Sequence, residues 1–260
     1  MTVTYASYLK LDQLLSLQQP HEGKLEHDET LFVVIHQVYE LWFKEMLHEL
    51  DYLMGLLRAN DTPRAQHTLK RVLTILKVMV AQIDILETMT PLEFLSFRDR
   101  LEAGSGFQSF QFRELECVLG VKNPAALERY PVGSEHRRRV EARYRQPTLW
   151  DAFLHYLSAN GNPLPRALLD RDVTQPIQPS GEVQRILIGV YRNNPIVALV
   201  CERLLDFDEG FMEWRYRHVK MVQRTIGTKP GTGGSTGAEY LMTTLNRPAF
   251  PDLWAIRTEL

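Results

Sequence analysis

His218 is the first residue whose type and position could do chemistry. It falls between Trp214 and Met221 on the apolar side of a long helical pattern, where its imidazole would be buried. Both ring nitrogens are polar, so a buried histidine needs a partner at each of them. Metal ligation at one nitrogen and a hydrogen bond at the other would meet that need, as in a haem held by a helical histidine. Position alone nevertheless favours a core histidine bonded to other side chains.

His36 is the second candidate, one helical turn after Phe32 and one turn before Glu40. Its spacing alone also favours a structural histidine, with Gln37 or a neighbouring helix as its partner. A functional role for His36 therefore needs support from a source other than spacing.

Glu45 and His48 form a Glu-x-x-His pair on the same helical pattern. Such a pair is half of a di-iron carboxylate site in a four-helix bundle. The other half would be a second Glu-x-x-His on another helix, and we find none in the sequence. We expect His48 to face solvent.

Arg98 follows the aromatic segment at residues 94–97 and precedes a turn at Ser105-Gly106-Phe107-Gln108-Ser109. An arginine among aromatic side chains is suited to bidentate binding of a carboxylate in a partly dry pocket. In isolation, a surface salt bridge explains the residue more simply.

Residues 227–237 are the most glycine-rich stretch and resemble a phosphate-binding loop at first sight. Thr236 stands where a dinucleotide-binding loop needs its third glycine, no strand pattern precedes it, and the Lys-Ser/Thr ending of a P-loop is missing. Such a loop can still bring amides and hydroxyls close to a small anionic or zwitterionic ligand. A flexible surface turn is the alternative.

The elements that must position these residues are helices. Apolar residues recur at steps of three and four over residues 28–57, 63–88 and 195–225, which predicts three long helices with buried stripes. Thr62 and Pro63 predict the start of the second helix, and Thr90-Pro91 and Asn123-Pro124 predict two further helix starts. No segment alternates with period two, so the fold class expected is all-α.

Two breaks interrupt the helical pattern: a short turn at residues 103–106 and a proline-rich stretch at 160–181 that predicts an irregular excursion. We find no internal repeat or linker-like shift in composition, so residues 1–260 are expected to form a single helical domain.

The composition narrows the class of protein further. Hydrophobic residues make up 44% and charged residues 24% of 260, the balance of a globular domain with a sizeable core. The formal net charge of −2 indicates no nucleic-acid or membrane-surface partner, and the basic cluster at 136–139 is interpreted as a solvated face. The two cysteines, the lack of an export signal and the lack of a long apolar run predict a cytoplasmic protein without a membrane span.

Four blocks of residues, taken together and in order, resemble the tryptophan 2,3-dioxygenase family from Tyr5 to the C-terminal region. Residues 120–200 resemble the family only loosely. The blocks are Tyr5-Ala-Ser-Tyr8-Leu9 with Leu14-Leu15; His27-Asp28-Glu29 through Phe32, His36-Gln37 and Glu40-Leu41-Trp42-Phe43-Lys44; Met89-Thr90-Pro91, Phe97-Arg98, Ser105-Gly106-Phe107-Gln108-Ser109 and Gln111-Phe112-Arg113; and Arg217-His218 through Ile226-Gly227 to Gly231-Thr232-Gly233-Gly234-Ser235-Gly237.

The resemblance implies an all-α fold whose long helices form a haem pocket, with haem b bound once per subunit of a homotetramer. It implies cleavage of the C2–C3 indole bond of L-tryptophan by O2, giving N-formylkynurenine, the first step of the kynurenine pathway. It also implies a pocket completed by a neighbouring subunit, through an N-terminal segment at residues 1–20.

The same resemblance implies a role for individual residues. His218 corresponds to the axial ligand of the haem iron, and His36 to the distal histidine near the indole nitrogen. Arg98 would hold the substrate carboxylate, Thr232 would contact its ammonium or carboxylate group, and Ser105 would lie near the haem. The indole wall would comprise Phe32, Phe94 and Leu101, and the residues from the neighbouring subunit would be Tyr5, Tyr8 and Leu9.

One position departs from the family pattern, because Phe94 stands where other members can carry tyrosine. A hydrogen bond from that hydroxyl would be absent, so we expect altered affinity and the same reaction. Alternatives from other classes are a haem sensor, which would need neither Arg98 nor the Thr232 loop, a non-haem di-iron bundle and a purely structural helical protein.

Overall fold

The computed structural model of the protein describes residues 2–19, 23, 26–232, 238–245 and 247–260. Within these ranges the regular elements are all helices and no strand forms, which confirms the predicted all-α class. Short 3-10 helices span Arg98–Leu101, Gly106–Gln108, Pro124–Arg129 and Ile256–Thr258. The α-helices are α1 Tyr5–Leu9, α2 Leu11–Leu14, α3 His27–Arg58, α4 Thr62–Leu86, α5 Pro91–Phe97, α6 Phe110–Val118, α7 Glu135–Tyr144, α8 Leu149–Ala159, α9 Arg166–Leu169, α10 Gly181–Asn193, α11 Pro195–Ile226, α12 Ala238–Met242 and α13 Pro251–Ala255.

Three long helices, α3, α4 and α11, form the centre of the molecule, and they confirm the helices predicted at residues 28–57, 63–88 and 195–225. α4 packs along both of the others, and their apolar stripes meet in one buried core. Leu50, Leu53 and Leu57 of α3, at the predicted steps of three and four, are completely buried in it. The hydrophobic effect acting on these stripes therefore aligns α3 and α11, the helices that carry His36 and His218.

Gly210 of α11 leaves room for the side chain of Leu76 on α4. A Cβ atom placed on Gly210 would come within 2.9 Å of Leu76 Cδ2, closer than carbon atoms pack, so that the leucine side chain would have to shift. Glycine in a helix interior costs roughly 0.5–1 kcal/mol relative to alanine.

The helix starts agree with the sequence in all but one residue. Thr90 caps α5 through its hydroxyl, as predicted, and Asn123 caps the 3-10 helix that follows it. Only the predicted N-cap of α4, Thr62, was wrong: Asp61 is the N-cap, and its carboxylate accepts from the backbone N–H of Arg64. The Thr62 hydroxyl instead bonds the Tyr156 hydroxyl at 2.8 Å and ties α4 to α8.

Lys122 closes the C-terminal end of α7 from the side. Its side chain is almost completely buried, and its ammonium donates to the carbonyls of Arg143, Tyr144 and Gln146 at 3.2, 2.9 and 2.9 Å. Burial lowers the pKa of Lys122. The last carbonyls of a helix have no partner within it, so a buried cation satisfies them and also complements the helix dipole.

The irregular excursion predicted for residues 160–181 is confirmed, since the short α9 is its only helical stretch up to Gly181 among the described residues. The basic cluster at 136–139 is solvated as predicted, since Arg138 and Arg139 are exposed and Arg137 is half-buried, and all three pair with glutamates. None of the described helices combines the length and apolarity needed to cross a bilayer.

The N-terminal segment projects from the rest of the chain. Tyr5 and Tyr8 of α1 are 77% and 76% exposed, and Leu9 is exposed as well. The segment is tied back to α3 at Gln37, whose side chain bonds the Gln18 amide at 2.6 Å and the Leu17 carbonyl at 3.3 Å.

Candidate active site

One large cavity opens between the long helices and the turns that follow α5. Its empty space measures about 1740 Å³, a volume that includes the part open to solvent. The wall is mainly apolar, so it favours a large hydrophobic ligand. Its apolar members include Phe32, Tyr39, Phe43, Ile83, Leu86, Met89, Phe94, Leu101, Phe112, Trp214, Val219, Met221 and Val222.

The cavity brings together most of the residues singled out in the sequence. Eight of them line it, although they come from positions spread over about two hundred residues of the chain. Tyr5, Tyr8 and Leu9 are not among the lining residues, and they lie on the exposed α1 of the single chain. The eight lining residues are Phe32, His36, Phe94, Arg98, Leu101, Ser105, His218 and Thr232.

His218 presents a neutral imidazole to the cavity. Its ring lies parallel to the indole of Trp214, one turn earlier on α11, with the ring centres 5.5 Å apart and the planes 12° apart. Burial and, to a smaller extent, the nearby His36 lower the pKa of His218 to about 4. Within the described ranges neither ring nitrogen of His218 has a hydrogen-bond partner. A neutral imidazole without a protein partner has a lone pair available for a metal ion.

His36 also faces the cavity, from α3, and its tautomer can be deduced. Its Nδ1 lies 2.7 Å from the Phe32 carbonyl oxygen, which can only accept, so Nδ1 carries the proton and Nε2 carries a lone pair. Burial lowers the pKa of His36, while the Phe32 bond and the charge of Glu40 raise it less. The ring is therefore neutral near pH 7, with a hydrogen-bond acceptor at Nε2. The partner proposed from the sequence, Gln37, is instead bonded to the N-terminal segment.

An aromatic cluster stands beside His36. The Phe32 ring lies 4.1 Å from the His36 ring and 5.8 Å from the Phe94 ring, measured between ring centres. Phe97, which is buried behind them, packs edge-on against both phenylalanines at 5.4 Å. Leu101 extends this wall. A flat aromatic ligand would find stacked and edge-on partners here.

Arg98 and Thr232 join two segments at the cavity. Arg98 Nη2 donates to the Pro230 carbonyl at 2.5 Å, and the Thr232 hydroxyl donates to the Gly104 carbonyl at 2.6 Å. No carboxylate in the described part of the chain pairs with Arg98, so the surface salt bridge considered from the sequence does not form with any described residue. The remaining N–H groups of the guanidinium have no partner among the described residues, and such groups can bind a ligand. Residues 233–237 of the glycine-rich stretch lie outside the described residues.

The turn that carries Ser105 has little conformational freedom. Gly104 N donates to the Leu101 carbonyl at 2.6 Å, and a Cβ on Gly104 would come within 2.8 Å of that same oxygen. Ser105 then caps the next 3-10 helix, its hydroxyl accepting from the backbone N–H of Phe107 at 3.3 Å. Glycine at 104 is thus required for the turn that places Ser105 at the cavity.

Sequence reasoning missed one group of polar residues at the cavity. Arg113 of α6 and Arg215 of α11 are both buried there, with Glu116 between them. The carboxylate of Glu116 lies 2.5 Å from Arg113 and 3.7 Å from Arg215. The available signal was an arginine directly after an aromatic residue of a buried stripe, at Phe112-Arg113 and Trp214-Arg215.

The Glu45–His48 pair does not belong to the cavity. His48 is exposed on α3, as predicted, and neither residue lines the wall. Over the described ranges, no three side chains of His, Cys, Asp or Glu come together as a group that could hold a metal ion. The described residues therefore assemble no di-iron carboxylate site.

Comparison with known proteins covers nearly the whole chain. The family model described as "Tryptophan 2,3-dioxygenase" matches residues 1–146 and 181–260. Its gap falls within the region where the sequence resembles the family only loosely. Curated relatives of that name include one from Herpetosiphon aurantiacus, 62% identical over 99% of this chain and 98% of the relative. Others are from Anaeromyxobacter sp., 55% identical over 99% and 96%, and from Caulobacter vibrioides, 44% identical over 99% and 98%.

Proposed function

This chain belongs to the tryptophan 2,3-dioxygenase family, and from that premise we propose that its large cavity is the site where it oxidises L-tryptophan. The reaction opens the indole ring with dioxygen. Both oxygen atoms are inserted across the C2–C3 bond and the product is N-formylkynurenine, the first intermediate of the kynurenine pathway. The observation that carries the assignment of the site is the neutral, unpartnered imidazole of His218 on an apolar wall.

The residues of the cavity fit haem b, which we assign at one per subunit. His218 would be the axial ligand, because its neutral ring has a free lone pair and the stacked Trp214 restrains its orientation. The buried Trp214 Nε1 and Arg113 Nε, which have no partner in the described part of the chain, indicate polar groups oriented toward a ligand. When bound, haem supplies the activation of dioxygen, chemistry that belongs to the cofactor.

His36 orients the indole. Its Nε2 accepts a hydrogen bond from the indole N–H, since Nδ1 is already committed to the Phe32 carbonyl. Proton removal by His36 is disfavoured, because the indole N–H is a very weak acid and burial lowers the pKa of the histidine. Phe32, Phe94 and Leu101 cover the faces of the indole and exclude water.

The amino-acid end of the substrate meets Arg98 and Thr232. The guanidinium N–H groups not used by Pro230 bind the carboxylate bidentately, and the Thr232 hydroxyl contacts the ammonium or carboxylate group. Ser105, on the rigid turn after Gly104, lines the cavity and would lie near the haem. Holding both ends of the substrate is worth several kcal/mol of barrier lowering through positioning.

The pocket is completed by a neighbouring subunit of a homotetramer. Tyr5, Tyr8 and Leu9 would reach into that subunit's cavity, which would bury the apolar side chains that α1 exposes in the single chain. One domain over residues 1–260, cytoplasmic location and the lack of nucleic-acid or membrane partners complete the proposal.

An absorption spectrum of the purified, haem-supplemented and reduced protein tests this function. We expect a Soret band that shifts with L-tryptophan, followed under air by growth of the N-formylkynurenine band. A Soret band that ignores tryptophan would favour a haem sensor, and no Soret band would refute haem binding.

His218→Ala tests the axial ligand. We expect loss of stable haem binding in this variant, while His48→Ala, which removes an exposed histidine away from the cavity, keeps its haem. A full haem complement in His218→Ala would refute the assignment of the ligand.

A further inference from the structure

Arg113 and Arg215 are buried cations that the proposed reaction does not use. They are 9% and 8% exposed, come from α6 and α11, and line the same cavity as His218. The Glu116 carboxylate is shared between them, 2.5 Å from Arg113 and 3.7 Å from Arg215. Each guanidinium also lies over a phenylalanine ring, at 4.9 Å for Phe112 and 4.6 Å for Phe211. The aromatic contacts restrain both groups but supply no negative charge.

Among the described residues, Glu116 has the only carboxylate within salt-bridge distance of the two guanidinium groups. Asp208 is the next nearby acid, and its charge acts on Arg215 from beyond that distance, because its oxygens face the backbone N–H groups of Ala249 and Phe250 and the Trp254 indole. Burial lowers the pKa of Arg215, and nearby Glu116 and Asp208 only partly oppose this.

The other acid on the described cavity wall contacts neither arginine. Glu40 accepts a hydrogen bond from the Gln111 amide at 2.8 Å. Arg113 Nε is buried without a partner among the described residues. Two buried guanidinium groups that share one carboxylate and leave a buried donor unsatisfied indicate a site for an anion.

The position of the cluster relative to His218 narrows the choice of anion. Arg215 precedes His218 by three residues on α11, which puts both on one helical face about 4.5 Å apart along the axis. A ligand held by His218 therefore extends past the arginines. Haem carries two propionate carboxylates, and guanidinium groups bind carboxylates well in partly dry surroundings.

We propose that Arg113 and Arg215 together bind one propionate carboxylate of the haem. This inference rests on the proposed haem-dependent function. The propionate would add a second carboxylate to the one that Glu116 shares between the two guanidinium groups, so it keeps haem in the cavity in addition to the His218 ligation. Arg98 stays free for the carboxylate of the amino-acid substrate.

Haem dimethyl ester is the probe that tests this proposal, because its two propionates are neutral while its porphyrin is unchanged. The full-length protein is loaded with haem or with the ester, and transfer of each porphyrin to excess apomyoglobin is followed by Soret absorbance. The ester is expected to leave the wild-type protein at least about tenfold faster than haem, since a neutral ester forms no charge-assisted bond with a guanidinium.

Arg215→Gln and Arg113→Gln complete a thermodynamic cycle. Each is expected to accelerate haem loss about tenfold and to change loss of the ester less than about twofold, since the interaction is already absent there. Arg203→Gln is the matched control: this exposed arginine of α11 pairs with Asp206 three residues on and does not line the cavity. It should leave both rates unchanged. The wild-type comparison needs no substitution, so it stands even if a variant folds poorly.

The outcomes separate this inference from the function it rests on. Equal loss of haem and ester from the wild-type protein would refute the propionate site while leaving haem binding and turnover intact. Unchanged haem retention with weakened L-tryptophan binding in Arg215→Gln would assign the arginines to the substrate carboxylate and also refute it. A protein that binds no porphyrin at all would refute the proposed function.

Discussion

Replacing Arg98 tests whether the cavity recognises an amino acid through its carboxylate. The Arg98 guanidinium donates one hydrogen bond to the Pro230 carbonyl, and no carboxylate among the described residues pairs with it. A bidentate carboxylate adds two charge-assisted bonds, each worth about 1.5–3 kcal/mol. Arg98 is only half-buried, so the lower value applies, and Arg98→Ala should cost about 3 kcal/mol, or roughly 10²-fold in KM for L-tryptophan.

The assay compares L-tryptophan with tryptamine, which has the same indole and ammonium but no carboxylate. Binding of each is measured by the shift of the Soret band in wild-type protein, Arg98→Ala and Arg98→Lys. Arg98→Ala should weaken L-tryptophan strongly and tryptamine little. The affinity of Arg98→Lys for L-tryptophan should lie between those of the wild-type protein and Arg98→Ala, because lysine keeps the charge but not the bidentate geometry.

The tryptamine arm also separates recognition from a loosened loop. Loss of the bond between Arg98 and the Pro230 carbonyl would weaken the binding of both ligands alike, since that bond does not involve the substrate carboxylate. Arg100→Gln serves as a control on the same 3-10 helix, because Arg100 pairs with Glu26 and Glu29 and does not line the cavity. If Arg98→Ala weakened both ligands equally, the carboxylate assignment would be wrong.

In the haem-free protein, His218 should lower the free energy of unfolding in acid. Its pKa is 6.5 in the unfolded chain and about 4 in the folded protein, so the unfolded chain binds a proton first as the pH falls. About 3 kcal/mol of unfolding free energy, present above pH 6.5, should be lost by pH 4, and urea titrations should show a flatter profile for His218→Leu. Lys122→Met should destabilise the folded protein by about 1–3 kcal/mol, because it leaves buried carbonyls without their donor. Thermal unfolding measures this loss, and Lys44→Met, at an exposed site on α3, should show none. Deleting residues 1–9 should abolish turnover with little change in unfolding temperature, because α1 is exposed, and full turnover would contradict a shared pocket.

The long helices were predictable because burial imposes a period on the sequence that no other structure shares. The stripes of α3, α4 and α11 end within a few residues of their predicted limits. The N-cap of α4 was not predictable, since Asp61 and Thr62 are both good caps. Asp61 is the cap in the structure because the Thr62 hydroxyl is bonded to the hydroxyl of Tyr156, which lies 94 residues further along the chain.

Eight of the residues singled out in the sequence line the cavity, whereas the buried pair Arg113 and Arg215 was missed. Spacing alone left His36 and His218 ambiguous, and family resemblance identified them; the structure then places both at one cavity. The sharing of Glu116 between arginines on α6 and α11 depends on how two helices meet, and periodicity carries no such information. The burial of Lys122 escaped prediction for the same reason, because a lysine in a connecting segment is usually solvated.

The contact of Gly210 with Leu76 has a consequence for engineering this protein. Alanine is usually introduced at helical glycines to raise stability, with a gain of roughly 0.4–1 kcal/mol. Here the added methyl would meet the end of the Leu76 side chain, which would have to shift or change rotamer, so part of the usual gain would be lost. Gly210 is therefore a poor first choice for stabilising α11, although it does not line the cavity.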